Sequence, residues 1–411
     1  MTFAWATIRR PLPLLALVAA CGGGTDIITP APPPPTGVAF TLTADPEDAT
    51  TAQALDWQGG IPGATITLTP ADSSAAARTA TTSAAGGVLF TDLPPGKYIA
   101  ESARWLSAAE RGRLPAGDDA IGFVDRGAVQ ISSASGNVAR TAPASRRKSL
   151  VISEWAFNAY VANGFGAYFH GGFIELHNNA DTTVYLDGMI VAEGFPNDID
   201  VPSNPCNANL DVTADPEGVW SRFAQQFPGT GRTYPVSPGG TIVVATDAID
   251  HRPLFPGAID LSTANFEFFG QPDVDNPSAP NLMDFFKSHD HGIYFPFLAA
   301  VPVVTLPLDI GSLKTIRKFS TNTLYYQLPR SKILDVLWVR SNFQDPDHLE
   351  CPRQVHPNFD REGSAARGTD EQLESSFSLS RRRTPVGPVL QHTRSGAADW
   401  VRTPLTPGVV P

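Results

Sequence analysis

The sequence predicts an all-β protein built as two β-sandwich domains, and three observations carry that expectation. The 411 residues include 35 Gly and 38 Pro, which break helices and make turns. Charged residues make up only 17% of the chain, against an ordinary share of about 25%, while 42% are hydrophobic, enough to fill sizeable cores. Apolar and polar residues alternate over short runs bounded by Gly, Pro, Asn and Asp, the pattern of half-buried strands. The length suits two or three domains at roughly 100 to 200 residues each, and the composition excludes a wholly disordered chain. A net charge of -11 argues against a nucleic-acid partner, because phosphate binding needs concentrated positive potential.

At the amino terminus Arg9 and Arg10 precede an apolar run from Leu12 to Ala20 that is too short to span a bilayer. The order of charge and then apolar residues is that of an export signal, expected over residues 1–20. Val18-Ala19-Ala20-Cys21 resembles the bacterial lipobox, which implies removal of the signal and lipidation of Cys21. By the same resemblance, Gly22 in place of Asp after the cysteine implies the outer membrane of a Gram-negative cell, on its periplasmic face or at the cell surface. Residues 21–36 hold Gly22-Gly23-Gly24 and Pro32-Pro33-Pro34-Pro35, a flexible start and a stiff spacer that read as a tether. Cys206 and Cys351 are then an even pair in an oxidising compartment and are expected to form a disulfide. Closing so long a loop would remove about 4 to 5 kcal/mol of unfolded-state freedom in the chain-entropy model.

Residues 37–145 read as the first sandwich. Val38 to Thr43 and Ala64 to Thr69 alternate with Thr on the wet face, and Val88-Leu89-Phe90 is a third strand. Pro94-Pro95-Gly96 makes a tight turn between strands, with Phe90, Leu93 and Tyr98 supplying apolar surface. The run from Gly86 to Ala100 resembles the carboxypeptidase-regulatory-like, transthyretin-like sandwich, which implies a non-catalytic spacer or docking module. Trp105 is expected to pack beside Leu106 rather than stack on a ligand. Ala142 to Lys148, with Arg146-Arg147-Lys148, is expected to be a solvated linker.

Residues 149–411 open with Leu150-Val151-Ile152-Ser153-Glu154-Trp155, then Phe173 to Asn179 and Val184 to Gly188, three strands with turns at Asn178 to Asp181 and Asp187-Gly188. Ile152 to Glu154, Phe173 to Asn178, Leu186 to Gly188, Ser378 to Arg381, Asp399-Trp400 and Thr406-Pro407-Gly408 together resemble the lamin-tail-like domain, an immunoglobulin-like β-sandwich. Asp260 to Glu267, Asp273 to Pro277 and Leu328 to Asp335 resemble motifs of uncharacterised bacterial surface lipoproteins that join such modules. That resemblance implies a large insertion at about residues 192–330. The chain departs from its Val-Leu-Gln-Asp-Thr-Asn element, with Val389-Leu390-Gln391-His392-Thr393-Arg394 instead.

Candidate chemistry is sparse. Glu154 and Glu175 fall on neighbouring strands and suggest a paired acid and base, although a structural role accounts for them better. Asp284, His289 and His291 form the densest set of metal-ligand types, suited to zinc, with the two imidazoles on one face of an extended segment. Asp273, Asp275 and Asn276 offer hard oxygens for calcium, but Ser278, Pro277 and Pro280 defeat an EF-hand match. No nucleophile-elbow or His-Glu-x-x-His motif occurs, and Gly164-Phe165-Gly166 lacks a third glycine. Arg381-Arg382-Arg383 reads as the solvated end of a strand. Phe266 to Phe269, Phe285-Phe286 and Tyr294 to Phe297 form either a core for the insertion or an exposed contact surface.

These observations favour a non-catalytic, lipid-anchored binding protein of the envelope, without a cofactor, and the resemblance to surface lipoproteins implies that it assists nutrient uptake. Its expected partners are the membrane and an outer-membrane transporter or envelope protein. The alternatives are a metal-dependent secreted hydrolase using Asp284, His289 and His291, and a structural or adhesion protein.

Overall fold

Side-chain alternation builds the first sandwich. In β1 (Gly37–Ala44), Val38, Phe40 and Leu42 are buried while Thr41 is exposed. In β2 (Thr65–Pro70), Ile66 and Leu68 are buried while Thr65 and Thr69 face solvent. The remaining strands are β3 (Arg78–Thr81), β4 (Gly87–Thr91), β5 (Gly96–Trp105), β6 (Ala120–Ile131), β7 (Gly136–Ala142) and β8 (Ala144–Arg146). They form two sheets, β4-β1-β7 and β3-β2-β5-β6-β8, in which only the β1–β7 pairing is parallel. Short helices α1 (Ala49–Ala54) and α2 (Ala108–Arg111) fill connections. The Pro94-Pro95-Gly96 turn carries the chain from one sheet to the other, and the Tyr98 hydroxyl fixes it by donating to the Pro94 carbonyl at 2.8 Å. Phe40 and Phe90 meet edge to face in the core, 5.3 Å apart.

This structure is a computed structural model. It describes residues 36–72, 75–156, 160–161, 167–168, 170–194, 215–254, 258–268, 275–287, 301–317, 323–340, 355–361, 364–365 and 377–409.

The segment around β8 is no solvated linker. Arg146 lies in the fifth strand of its sheet and binds Asp48 at 2.5 Å and Asp118 at 2.6 Å. Both acids come from distant stretches of chain, so a run of three cations does not by itself show that one of them is paired.

The second sandwich begins with β9 (Leu150–Ala156), followed by the paired short strands β10 (Tyr160–Val161) and β11 (Ala167–Tyr168). Next come β12 (Phe173–Asn178), β13 (Val184–Tyr185), β14 (Ile190–Gly194), β15 (Gly218–Gln226), β16 (Pro235–Val236) and β17 (Thr241–Ala245). They are followed by β18 (Phe266–Glu267), β19 (Met283–Lys287), β20 (Val301–Thr305), β21 (Thr315–Arg317), β22 (Leu324–Pro329) and β23 (Ile333–Val336). The last are β24 (Val339–Arg340), β25 (Ser364–Ala365), β26 (Phe377–Arg381), the helix α3 (Gly396–Asp399) and β27 (Trp400–Pro404). One sheet runs β18-β17-β12-β9-β26-β27; the other runs β21-β22-β15-β14-β20-β23, with β19 paired to β15.

The stretch expected as an insertion, residues 192–330, is built into both sheets of this sandwich. It supplies β17 to the first sheet, next to β12, and most of the second sheet. Phe227, Val236, Val244, Phe266 and Val304 from this stretch pack with Ile152, Trp155, Leu176 and Trp400 in one core. The second sheet is apolar on both faces: Val191 and Val304 point into that core, while Ile190, Ala192, Val301 and Val303 pack on the other side with Phe286, Trp338 and Phe359. A sheet covered on both faces yields unbroken apolar runs instead of alternation.

Polar contacts fasten the two sandwiches to each other. Arg361 binds Asp45 and Glu47, and Arg394 binds Glu47 at 2.7 Å. The Arg146 N–H donates to the His392 carbonyl at 2.9 Å, and the His392 N–H donates to the Ser145 hydroxyl at 3.1 Å.

Candidate functional site

The end of β5 and the loop after β26 meet across a cleft of about 770 Å³, lined by Arg104 to Ser107, Glu110 and Arg111 from the first sandwich and Pro385 to Gly387 from the second. Its first wall is held by a capping box. The Ser107 hydroxyl accepts from the Glu110 N–H at 3.2 Å, and the Glu110 carboxylate accepts from the Ser107 N–H at 2.8 Å. That carboxylate also takes a 2.6 Å bond from Arg104, whose Nε donates to the Pro62 carbonyl at 3.0 Å. Burial pushes the Glu110 carboxyl up, but the Ser107 amide and hydroxyl with the Arg104 guanidinium hold it below its ordinary value. Arg104 lies 5.8 Å over the Trp57 ring.

Trp105 sits opposite Gly122 on β6, and a Cβ at Gly122 would stand 2.5 Å from Cε3 of the indole. Only a glycine lets the ring lie so close to the neighbouring strand. The other wall is a turn in which the Thr384 hydroxyl donates to the Val389 carbonyl at 2.8 Å and accepts from the Val386 N–H at 3.1 Å. Gly387 takes a left-handed φ of 61° in that turn, with open space where a Cβ would stand.

Glu154 and Glu175 are directly opposed on β9 and β12 and fully buried. The Glu154 carboxyl accepts from the Ser378 hydroxyl at 2.5 Å and from the Thr406 N–H and hydroxyl at 2.9 and 2.8 Å. Glu175 accepts from the Ser153 hydroxyl and the Gly408 N–H, each at 2.7 Å. Burial raises both, Glu175 to about 7, with the neighbouring Glu154 charge adding to the rise. The pair is therefore sealed beneath the last turn of the chain and does not face the cleft. Glu193 on β14 is a further buried carboxyl, which desolvation lifts to about 8 against the pull of Arg222.

The carboxylate of Asp284, on β19, accepts from Gln225 at 3.0 Å; His289 and His291 lie outside the described residues. Asp275 accepts from Asn281 at 2.8 Å. Asn276 is spent on structure: its amide donates to the Ala248 carbonyl at 2.8 Å and its oxygen accepts from the Ser278 N–H at 3.0 Å. Asp273, Cys21, Cys206 and Cys351 lie outside the described residues. Among the described residues, no three His, Cys, Asp or Glu side chains converge in a metal-binding arrangement. The aromatic stretches do not form an exposed surface where they are described. Phe266 and Phe268 are in the central core, and Phe286 stacks on Tyr326 at 4.3 Å.

Arg381 overturns the reading of a solvated strand end. It is 1% exposed and lies 4.4 Å over the Trp400 ring. It donates to Asp335 at 2.5 Å, to the Ile152 carbonyl at 2.7 Å and to the Gln391 carbonyl at 3.1 Å. Asp399 stands 3.5 Å away, and His392 bonds the other oxygen of Asp335 at 3.1 Å. Burial works against the Asp335 carboxyl, yet the Arg381 charge holds it below its ordinary value, whereas Asp399 is raised by burial. Sequence reading missed this cluster, although Asp399-Trp400 beside an arginine-ended strand was a signal for it.

Residues 237–306 match the model of a family described as "Protein of unknown function (DUF4876)". The DUF4876 match spans β17 to β20, strands that belong to both sheets of the second sandwich. The crystal structure of a DUF4876 family protein from Bacteroides thetaiotaomicron VPI-5482 is similar over 92% of this chain and 96% of that one, with a TM-score of 0.51 and 16% identity. At that identity the likeness is one of fold. No curated protein matches the chain.

Proposed function

We propose that this protein is a non-catalytic binding protein of the cell envelope whose ligand site is the cleft between its two sandwiches. In this reading a lipid on Cys21 holds it at the outer membrane, Cys206 and Cys351 are bonded, and the first sandwich acts as a spacer in the manner of carboxypeptidase-regulatory-like modules. A role beside an outer-membrane transporter in nutrient uptake follows from that placement.

The observation that carries the reading is the division of polar groups. The buried pairs and clusters, Glu154 with Glu175 and Asp335 with Arg381, spend their hydrogen bonds on holding strands and turns together. The cleft instead gathers an indole, guanidinium groups and a hydroxyl in a concavity of the size that suits a small ligand. Thermal-shift screening of the full chain against neutral and acidic small molecules tests this. A ligand that stabilises the protein, and fails to do so in Ser107→Trp, which fills the cleft, is the expected result; stabilisation that survives Ser107→Trp places the site elsewhere.

A further inference from the structure

We propose that the cleft takes a saccharide bearing one carboxylate, with the sugar face against Trp105 and the carboxylate on Arg111. The inference rests on the cleft being a ligand site and adds the chemistry of what it holds.

Charge comes first. Arg104 and Glu110 neutralise each other at 2.6 Å, and three bonds to protein acceptors, Pro62, Trp105 and Glu110, fix the Arg104 guanidinium. Arg111 donates from Nη1 to the Leu106 carbonyl at 2.6 Å and has no carboxylate within ion-pair distance among the described residues. A guanidinium carries five donors in a planar fork that matches a carboxylate with two parallel bonds. The lining residues thus leave one positive charge to be matched, which suits a single carboxylate better than a doubly charged phosphate.

Shape and polarity point the same way. Gly122 backs the indole of Trp105, so the ring is held in place, and Trp105 is among the residues that line the cleft. An aromatic face is negatively polarised and attracts the C–H face of a pyranose. The Ser107 hydroxyl can donate to a sugar oxygen while it accepts from the Glu110 N–H. Gly387 leaves the opposite wall without a side chain, so a ligand can approach its backbone closely. A volume of about 770 Å³ accommodates a disaccharide.

The test is calorimetric titration of the full chain with galacturonosyl-galactose, a disaccharide with a single carboxylate, with the neutral disaccharide digalactose, inorganic phosphate and an uncharged-side-chain tripeptide as comparisons. The expected result is 1:1 binding of galacturonosyl-galactose, at least about tenfold tighter than any comparison. Arg111→Gln should lose about tenfold for galacturonosyl-galactose and nothing for digalactose, with an unchanged melting temperature. Trp105→Ala should weaken both disaccharides, and Ser107→Trp should abolish both, which keeps the test decisive if Trp105→Ala unfolds. Equal affinity for the two disaccharides, a preference for phosphate or tripeptide, or binding indifferent to Arg111→Gln overturns the saccharide assignment. In those cases the cleft itself stands if Ser107→Trp still blocks binding and falls if it does not.

Discussion

Glu154 and Glu175 face each other across adjacent antiparallel strands, and the last turn of the chain closes over both, with the Thr406 N–H on one carboxyl and the Gly408 N–H on the other. Two buried carboxyls at neighbouring positions do not ionise together readily, because each charge is poorly solvated and repels the other. A proton on Glu175 relieves both costs.

Stability should therefore fall as pH rises. Burial lifts Glu175 in the folded state to about 7 from an ordinary 4.5. The folded protein then holds a proton that the unfolded chain has released between those values, so the stabilisation is complete below 4.5 and lost as pH climbs through 7. The loss should be on the order of 2 to 3 kcal/mol, from roughly 1.4 kcal/mol per pH unit. Urea unfolding from pH 5 to pH 8 measures it. Glu175→Gln, which keeps the shape without the charge, should flatten the slope and exceed the wild type in stability at pH 8; an unchanged slope refutes the assignment.

The outer parts of this architecture were legible in the sequence because one face of each strand is wet. Thr41 and Thr65 alternate with Phe40 and Ile66, and that period gives both strand and orientation. β14 and β20 are buried on both faces, so Ile190–Gly194 and Val301–Thr305 carry no period from which strand and orientation can be read. Glu154 and Glu175 were recognisable as neighbours, but their closure by Thr406 and Gly408 depends on chain more than 200 residues away. The cleft was illegible for the same reason, since its walls come from residues 104–111 and 385–387.

Arg381 should be among the least replaceable residues of the second sandwich. Its removal leaves Asp335 and Asp399, both 2% exposed, without their cation. Breaking a buried pair by deleting one partner costs about 3 to 5 kcal/mol. Arg381→Met should show that loss in chemical denaturation, and Arg381→Lys should recover little, because one ammonium cannot reach Asp335 and the Ile152 and Gln391 carbonyls together. Near-wild-type stability of the lysine variant would contradict this.

Gly122→Ala should act on the cleft from behind. The added methyl would stand 2.5 Å from the Trp105 ring and 2.9 Å from the Arg104 carbonyl, so the indole must tilt. Overpacking of this kind costs about 1 to 3 kcal/mol. The expected outcome is a lower melting temperature together with a changed near-ultraviolet circular dichroism spectrum; a lower melting temperature alone would mean that the strand yields and the ring stays.

The clamp between the sandwiches should melt with them. Arg361 holds Asp45 and Glu47 from the second sandwich, and Arg394 adds a second hold on Glu47. Arg361 is 18% exposed while Glu47 is 54% exposed, so the Asp45 bond is the better shielded and the Glu47 bond the more screened by solvent. Arg361→Glu replaces two attractions with two repulsions and should cost about 1 to 2 kcal/mol. Its effect falls on the junction and leaves either core intact, so calorimetry should turn a single unfolding transition into two, with the upper one close to the wild-type temperature. Combining it with Asp45→Arg restores an opposite charge at the closer partner and should bring the transitions back together. One undivided transition in Arg361→Glu would show that the backbone bonds among Ser145, Arg146 and His392 suffice to couple the two sandwiches.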